Sequence, residues 1–142
     1  MNRTALARAL IAGMLVLAAL HPGEAGAVGK KTYISTFTLI MDFTDRAMTW
    51  VEKHGEDAQL ARAAAAMARA NVETVQDLSP PADFVDVHPH FVAIVESSQA
   101  AFEAVAASDM PSFQKIKSKI KKERQSLQHV LNEHNFVFPE II

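Results

Sequence analysis

The chain has no cysteine. That one absence excludes disulfides, thiolate zinc sites, iron–sulfur clusters, a cysteine nucleophile and a Cys-x-x-Cys-His haem attachment. It also removes the residue that a lipid anchor would need. Glycine and proline are scarce, at five and six residues, and no glycine-rich phosphate loop occurs. The net charge of −2 is no footprint for nucleic acid as a whole. With 49% hydrophobic residues the chain is too apolar for disorder, and at 142 residues too short for two ordinary domains. No serine has a histidine and an acid at interpretable spacing, and the acids are scattered, so an enzyme is not expected. A small single domain with a packed core remains.

The beginning of the chain has a different character. Arg3 and Arg8 precede an uncharged apolar run, Ala9 to Leu20 (ALIAGMLVLAAL), which His21-Pro22-Gly23 interrupts. Ala25-Gly26-Ala27 then offers the small-x-small pattern of a signal-peptidase site. Twelve apolar residues are short against the roughly 20 that span a bilayer. Residues 1–27 are therefore expected to be a cleaved signal peptide, with residues 28–142 one periplasmic or secreted domain. No later run is apolar for long enough to span a membrane. Without Arg3, Arg8 and Glu24, the domain keeps 12 basic and 15 acidic side chains.

His54-Gly55, Ser79-Pro80-Pro81 and Ser108-Asp109-Met110-Pro111 punctuate that domain into four stretches with apolar spacing near 3.6. The first helix is expected over Thr32 to His54. Phe37, Met41, Thr44, Met48 and Val51 form its inner face, and Leu39, Phe43 and Trp50 widen its apolar arc to roughly 200°, beyond what one core requires. The second helix is expected over Glu56 to Leu78, rich in alanine, with Asn71 as a polar residue on an inward position. In the third, Phe84, His88, Phe91, Val95, Ser98, Phe102 and Val105 make one stripe that begins ahead of Pro89. Either a separate turn precedes a helix starting at Pro89, or one helix is kinked there, because proline disfavours a helical predecessor and lacks a donor. The fourth is expected from Pro111 or Ser112, capped by Asp109 or Ser108. Asn135 to Ile142 (NFVFPEII) reads as a short non-helical tail. Four amphipathic helices with short connections predict an all-α, up-down-up-down antiparallel four-helix bundle.

The cassette Leu78-Ser79-Pro80-Pro81, followed by Phe84, His88 and Phe91, resembles the helix 2–3 junction of small secreted bacterial bundle proteins. The layout as a whole resembles the periplasmic cytochrome b562 family: a signal peptide, a Met in helix 1, an Ala-rich helix 2 containing Met, a Pro-Pro turn and a His near the end of helix 4. That resemblance implies non-covalent haem between a helix 1 Met and a helix 4 His. Met41 matches the first position and His129 approximately the second. On the helix 4 spacing, however, His129 falls roughly 160° from the inner face set by Phe113, Ile120 and Leu131.

Three groups of residues are candidates for function. Antiparallel threading places Met41, Asn71 and His88 at about one level, with Leu127 or Leu131 opposite. Met41 and His88 are then a candidate haem or metal pair, or His88 hydrogen-bonds Asn71 as a structural group. His88 and His90, with Asp83 and Asp86 nearby, are the best local set of Zn²⁺ or Cu²⁺ ligand types, although residues two apart point in different directions. The other two groups are contact surfaces. Leu39, Phe43 and Trp50 form an apolar edge suited to a protein partner or a homodimer. Lys115, Lys117, Lys119, Lys121, Lys122 and Arg124 lie within ten positions, and Lys115, Lys119 and Lys122 suit an anionic surface. Lys117 and Arg124 sit close enough to the inner face to snorkel along it. The favoured reading is a non-enzymatic exported module that works by contact. The alternative is a haem or metal carrier.

Overall fold

A computed structural model describes residues 27–134. The expected signal segment up to residue 26 and the tail 135–142 lie outside the described residues. The elements are α1 (Lys30–Lys53), α2 (Ala58–Asp77), a 3-10 turn (Ala82–Phe84), α3 (His88–Ala106) and α4 (Met110–Glu133). Among the described residues there is no strand, and no helix is long and apolar enough to cross a membrane. The all-α four-helix architecture read from the sequence is what forms.

The helix ends show where side chains outbid simple periodicity. Glu56 and Asp57, expected inside the second helix, instead precede it: the Asp57 carboxylate accepts the Leu60 N–H as an N-cap. Asp109 does the same for Ser112 at the start of α4, and the Ser112 hydroxyl together with that N–H holds its carboxyl below the usual range. The third stripe resolves as a turn followed by a re-started helix. Phe84 is fully buried from the 3-10 turn, and Pro89 falls in the first turn of α3, where no backbone donor is needed. Between α3 and α4, Ser108 adopts φ 60°. Its N–H reaches Val105 O, and the Asp109 N–H reaches Ala104 O at 2.8 Å, the paired bonds of a Schellman stop.

Side-chain size decides how the helices pack. On α2 the buried positions are mostly Ala61, Ala64, Ala65 and Ala68, so α3 comes close along its length. Arg69–Glu103 and Gln76–Glu96 hydrogen bonds cross this seam with opposite numbering, which makes the pair antiparallel. On α1 the buried side chains include Tyr33, Phe37, Ile40 and Met41. These keep α1 farther off, resting on α3 through Phe37–Phe91 rings 4.7 Å apart. Because α3 touches α1, α2 and α4, it is the central helix of the bundle, and α1 packs across the diagonal on it as well as beside α2. The α1–α4 side is correspondingly open at the backbone, and charged side chains close it.

Candidate functional site

Viewed down its axis, α4 has three sectors. Phe113, Ile120, Leu127 and Leu131 point into the core. On one flank of that stripe, Lys117 and Arg124 are seven residues apart, two turns along the same line. Opposite them on α1 stand Glu52 and Asp45, also seven apart. The two rows meet antiparallel: Lys117 Nζ pairs with a Glu52 carboxylate oxygen, and the Arg124 guanidinium takes Asp45 in two-pronged fashion, one contact being 3.0 Å. Burial pushes the Asp45 carboxyl above its ordinary value, by more than the adjacent Arg124 draws it down. The two-pronged pair ties α1 to α4 at this height. On the other flank, Glu123 receives His90 Nδ1 at 2.6 Å from α3.

The third sector faces water. Lys115, Lys119, Lys121 and Lys122 are all exposed, and none makes an ion pair among the described residues. Lys115, Lys119 and Lys122 fall at i, i+4 and i+7, a line about 10 Å long at 1.5 Å per residue. Their outward neighbours Gln114, Ser118, Gln125 and Ser126 are uncharged. The six cations of one ten-residue stretch are thus sorted: two face acids across a seam, and four stand exposed without an ion-pair partner among the described residues.

The α1 edge is less uniform. Leu39 is 53% exposed, while Phe43 and Trp50 are half-buried. The Trp50 ring packs partly on the core and stacks on His54 at 4.5 Å. Asp42 and Arg46 flank the edge and pair with each other at 2.9 Å.

The Met41–His88 level read from the sequence does not form. His88 Nδ1 is held by the Tyr33 hydroxyl at 3.1 Å, not by Asn71. Tyr33 lies eight residues before Met41, so Met41 sits about 12 Å farther along α1. The Arg69–Glu103 and Gln76–Glu96 pairs put Asn71 opposite α3 near Ala101, about 20 Å along the axis from His88. Threading from loop positions missed this because those same pairs set Asp77, the end of α2, level with Val95, so His88 stands beyond α2 and meets α1 instead. Met41 itself is only 2% exposed. Burial lowers the His88 pKa and raises that of Tyr33. Both shifts favour the neutral forms, a phenol and an uncharged imidazole, which share this one hydrogen bond.

His88 and His90 engage different partners, Tyr33 on α1 and Glu123 on α4, and so do not converge on one ion. His129 lies on the outer side of α4, 3.4 Å from Glu133, with its side chain 77% exposed. It does not point towards Met41. Among the described residues no three His, Asp or Glu side chains are grouped as a metal site would require. A shallow groove between α2 and α3 is floored by Ala65, Ala66, Ala106 and Ala107, and none of the candidate residues lines it. Tyr33, Asp45 and Glu52 were not singled out from the sequence. The matched seven-residue spacings 45/52 and 117/124 were the signal available for the last two. No family model matches the chain, and no curated protein or solved structure does.

Proposed function

We propose that this protein is a non-enzymatic contact module of the exported kind, and that its working surface is the outer face of α4 docked on anionic lipid head groups. The observation that carries the reading is the sorting of the α4 cations. Lys117 and Arg124 face acids, whereas Lys115, Lys119, Lys121 and Lys122 stand exposed with no ion-pair partner among the described residues. The chemistry of the outer set favours a field of phosphates over a protein epitope. All four are lysines, compact charges on flexible stems that do not demand one fixed geometry. No aromatic or arginine anchor, the usual core of a protein hot spot, stands among them. At about 1 kcal/mol per lysine near an anionic surface, four supply about 4 kcal/mol, a weak and reversible attachment.

Flotation of the purified protein with vesicles tests this. Binding is expected to phosphatidylglycerol-containing vesicles and not to pure phosphatidylcholine, with release as salt shortens the Debye length. Binding to soluble polyglutamate without vesicle binding would overturn the lipid reading in favour of an acidic protein. The carrier reading, with haem or a zinc or copper ion near Met41, His88 and His90, draws little support from a pair separated along α1 and histidines with separate partners. Haem titration monitored for a Soret band tests it directly.

A further inference from the structure

The α1 edge lies on the opposite flank of that helix from Asp45 and Glu52, so it is independent of the α4 surface. Leu39, Phe43 and Trp50 fall within about 40° of one another around α1, and Asp42 and Arg46 border them on one side. Leu39 is one of two large apolar side chains that stand exposed among the described residues. Phe43 is half-buried yet, among the described residues, is not one of the side chains packed against the core. The flanking charges are of opposite sign and four residues apart, with Asp42 52% and Arg46 80% exposed.

That pattern is self-complementary under a two-fold axis. If two α1 helices meet antiparallel with the axis beside Thr44 and Asp45, Leu39 of one faces Trp50 of the other. The same operation sets Asp42 against Arg46 of the second copy, and Phe43 beside that guanidinium. A parallel pairing would instead carry Asp42 and Arg46 of the two copies to opposite rims of the contact, so no opposite charges would meet across it. We infer that the occupant of this edge is a second copy of the chain, joined through an isologous antiparallel α1–α1 contact. One helix face buries less than the standard interface of about 1,600 Å², so the dimer is a weak one that forms at high protein concentration. The Asp42–Arg46 bond within each chain is exchanged for two such bonds between chains.

Sedimentation velocity over a wide concentration range, combined with charge reversal, tests the geometry. The unaltered protein is expected to shift from monomer to dimer, and Leu39→Asp to weaken that association at least ten-fold. Asp42→Arg alone and Arg46→Asp alone each place like charges across the axis and are expected to remain monomeric. Mixed one to one, these two variants are expected to form a heterodimer, which no folding defect could produce. All substituted positions are exposed, and unchanged helical circular dichroism verifies the fold. An unaltered protein that stays monomeric throughout overturns the inference. So does a dimer indifferent to Leu39→Asp, or a mixture of the two charge variants that fails to associate.

Discussion

Lys117 and Arg124 on one side of α4, and Lys115, Lys119 and Lys122 on the other, are the same chemistry on the same helix, separated by roughly half a turn of rotation. The inner pair meets Glu52 and Asp45 across a seam that the backbones leave open, and the outer set meets water. The difference teaches that clustered positive charge in a sequence has no single meaning. Its role depends on which sector of the helix each residue occupies and on what the neighbouring helix offers there.

The largest expected effect separates the two sets by binding. Replacing Lys115, Lys119, Lys121 and Lys122 by glutamine is expected to cut affinity for anionic vesicles by about 4 kcal/mol, roughly a thousand-fold. Urea denaturation of the same variant should shift by no more than about 0.5 kcal/mol per site. Next is Arg124→Ala, which leaves the partly buried Asp45 carboxylate without its partner. A loss of about 1–3 kcal/mol in urea unfolding is expected, with vesicle affinity nearly unchanged. If this variant keeps its stability but loses vesicle binding, the inner and outer sets have been wrongly divided.

A pH titration serves as a stability control away from both sets. Burial places the folded pKa of His88 below its ordinary value of 6.5, so below neutrality the unfolded chain binds the proton more readily. Stability is then full above about pH 7 and declines as pH falls through 6.5, with a slope of at most about 1.4 kcal/mol per pH unit for one group. Unfolding curves of His88→Gln should show this dependence reduced, since a neutral amide cannot take the proton. The smallest effect belongs to Lys117→Ala. Its pair with Glu52 is 40% exposed on both sides, and about 0.2–1 kcal/mol of stability is expected to be lost.

Much of the fold was legible because apolar spacing and turn residues are local properties. The four helices, the Ser79-Pro80-Pro81 break and the Asp109 cap follow from neighbours a few positions apart. The caps also explain the errors of detail: Asp57 spends its carboxylate on the Leu60 N–H and so stands outside the helix that its charge suggested. What the sequence concealed was relative height. The Phe37–Phe91 and Tyr33–His88 contacts place α1 against the diagonal helix. Loop lengths do not encode that offset, because it depends on rings packing against rings from helices far apart in the chain. Hence His88 found Tyr33 and not Asn71, and Met41 stayed with the core. The surfaces were easier, since outward positions need no partner to be placed: Leu39 and the α4 lysines lie where their spacing put them.

The division of the α4 cations is tested most directly by measuring vesicle binding and urea stability side by side on two variants. One carries glutamine at 115, 119, 121 and 122; the other carries glutamine at 117 and 124. The expected result is a crossed pattern, in which the first loses vesicle binding and keeps stability, while the second loses stability and keeps binding. Equal loss of binding in both variants, tracking only the number of charges removed, would contradict the account.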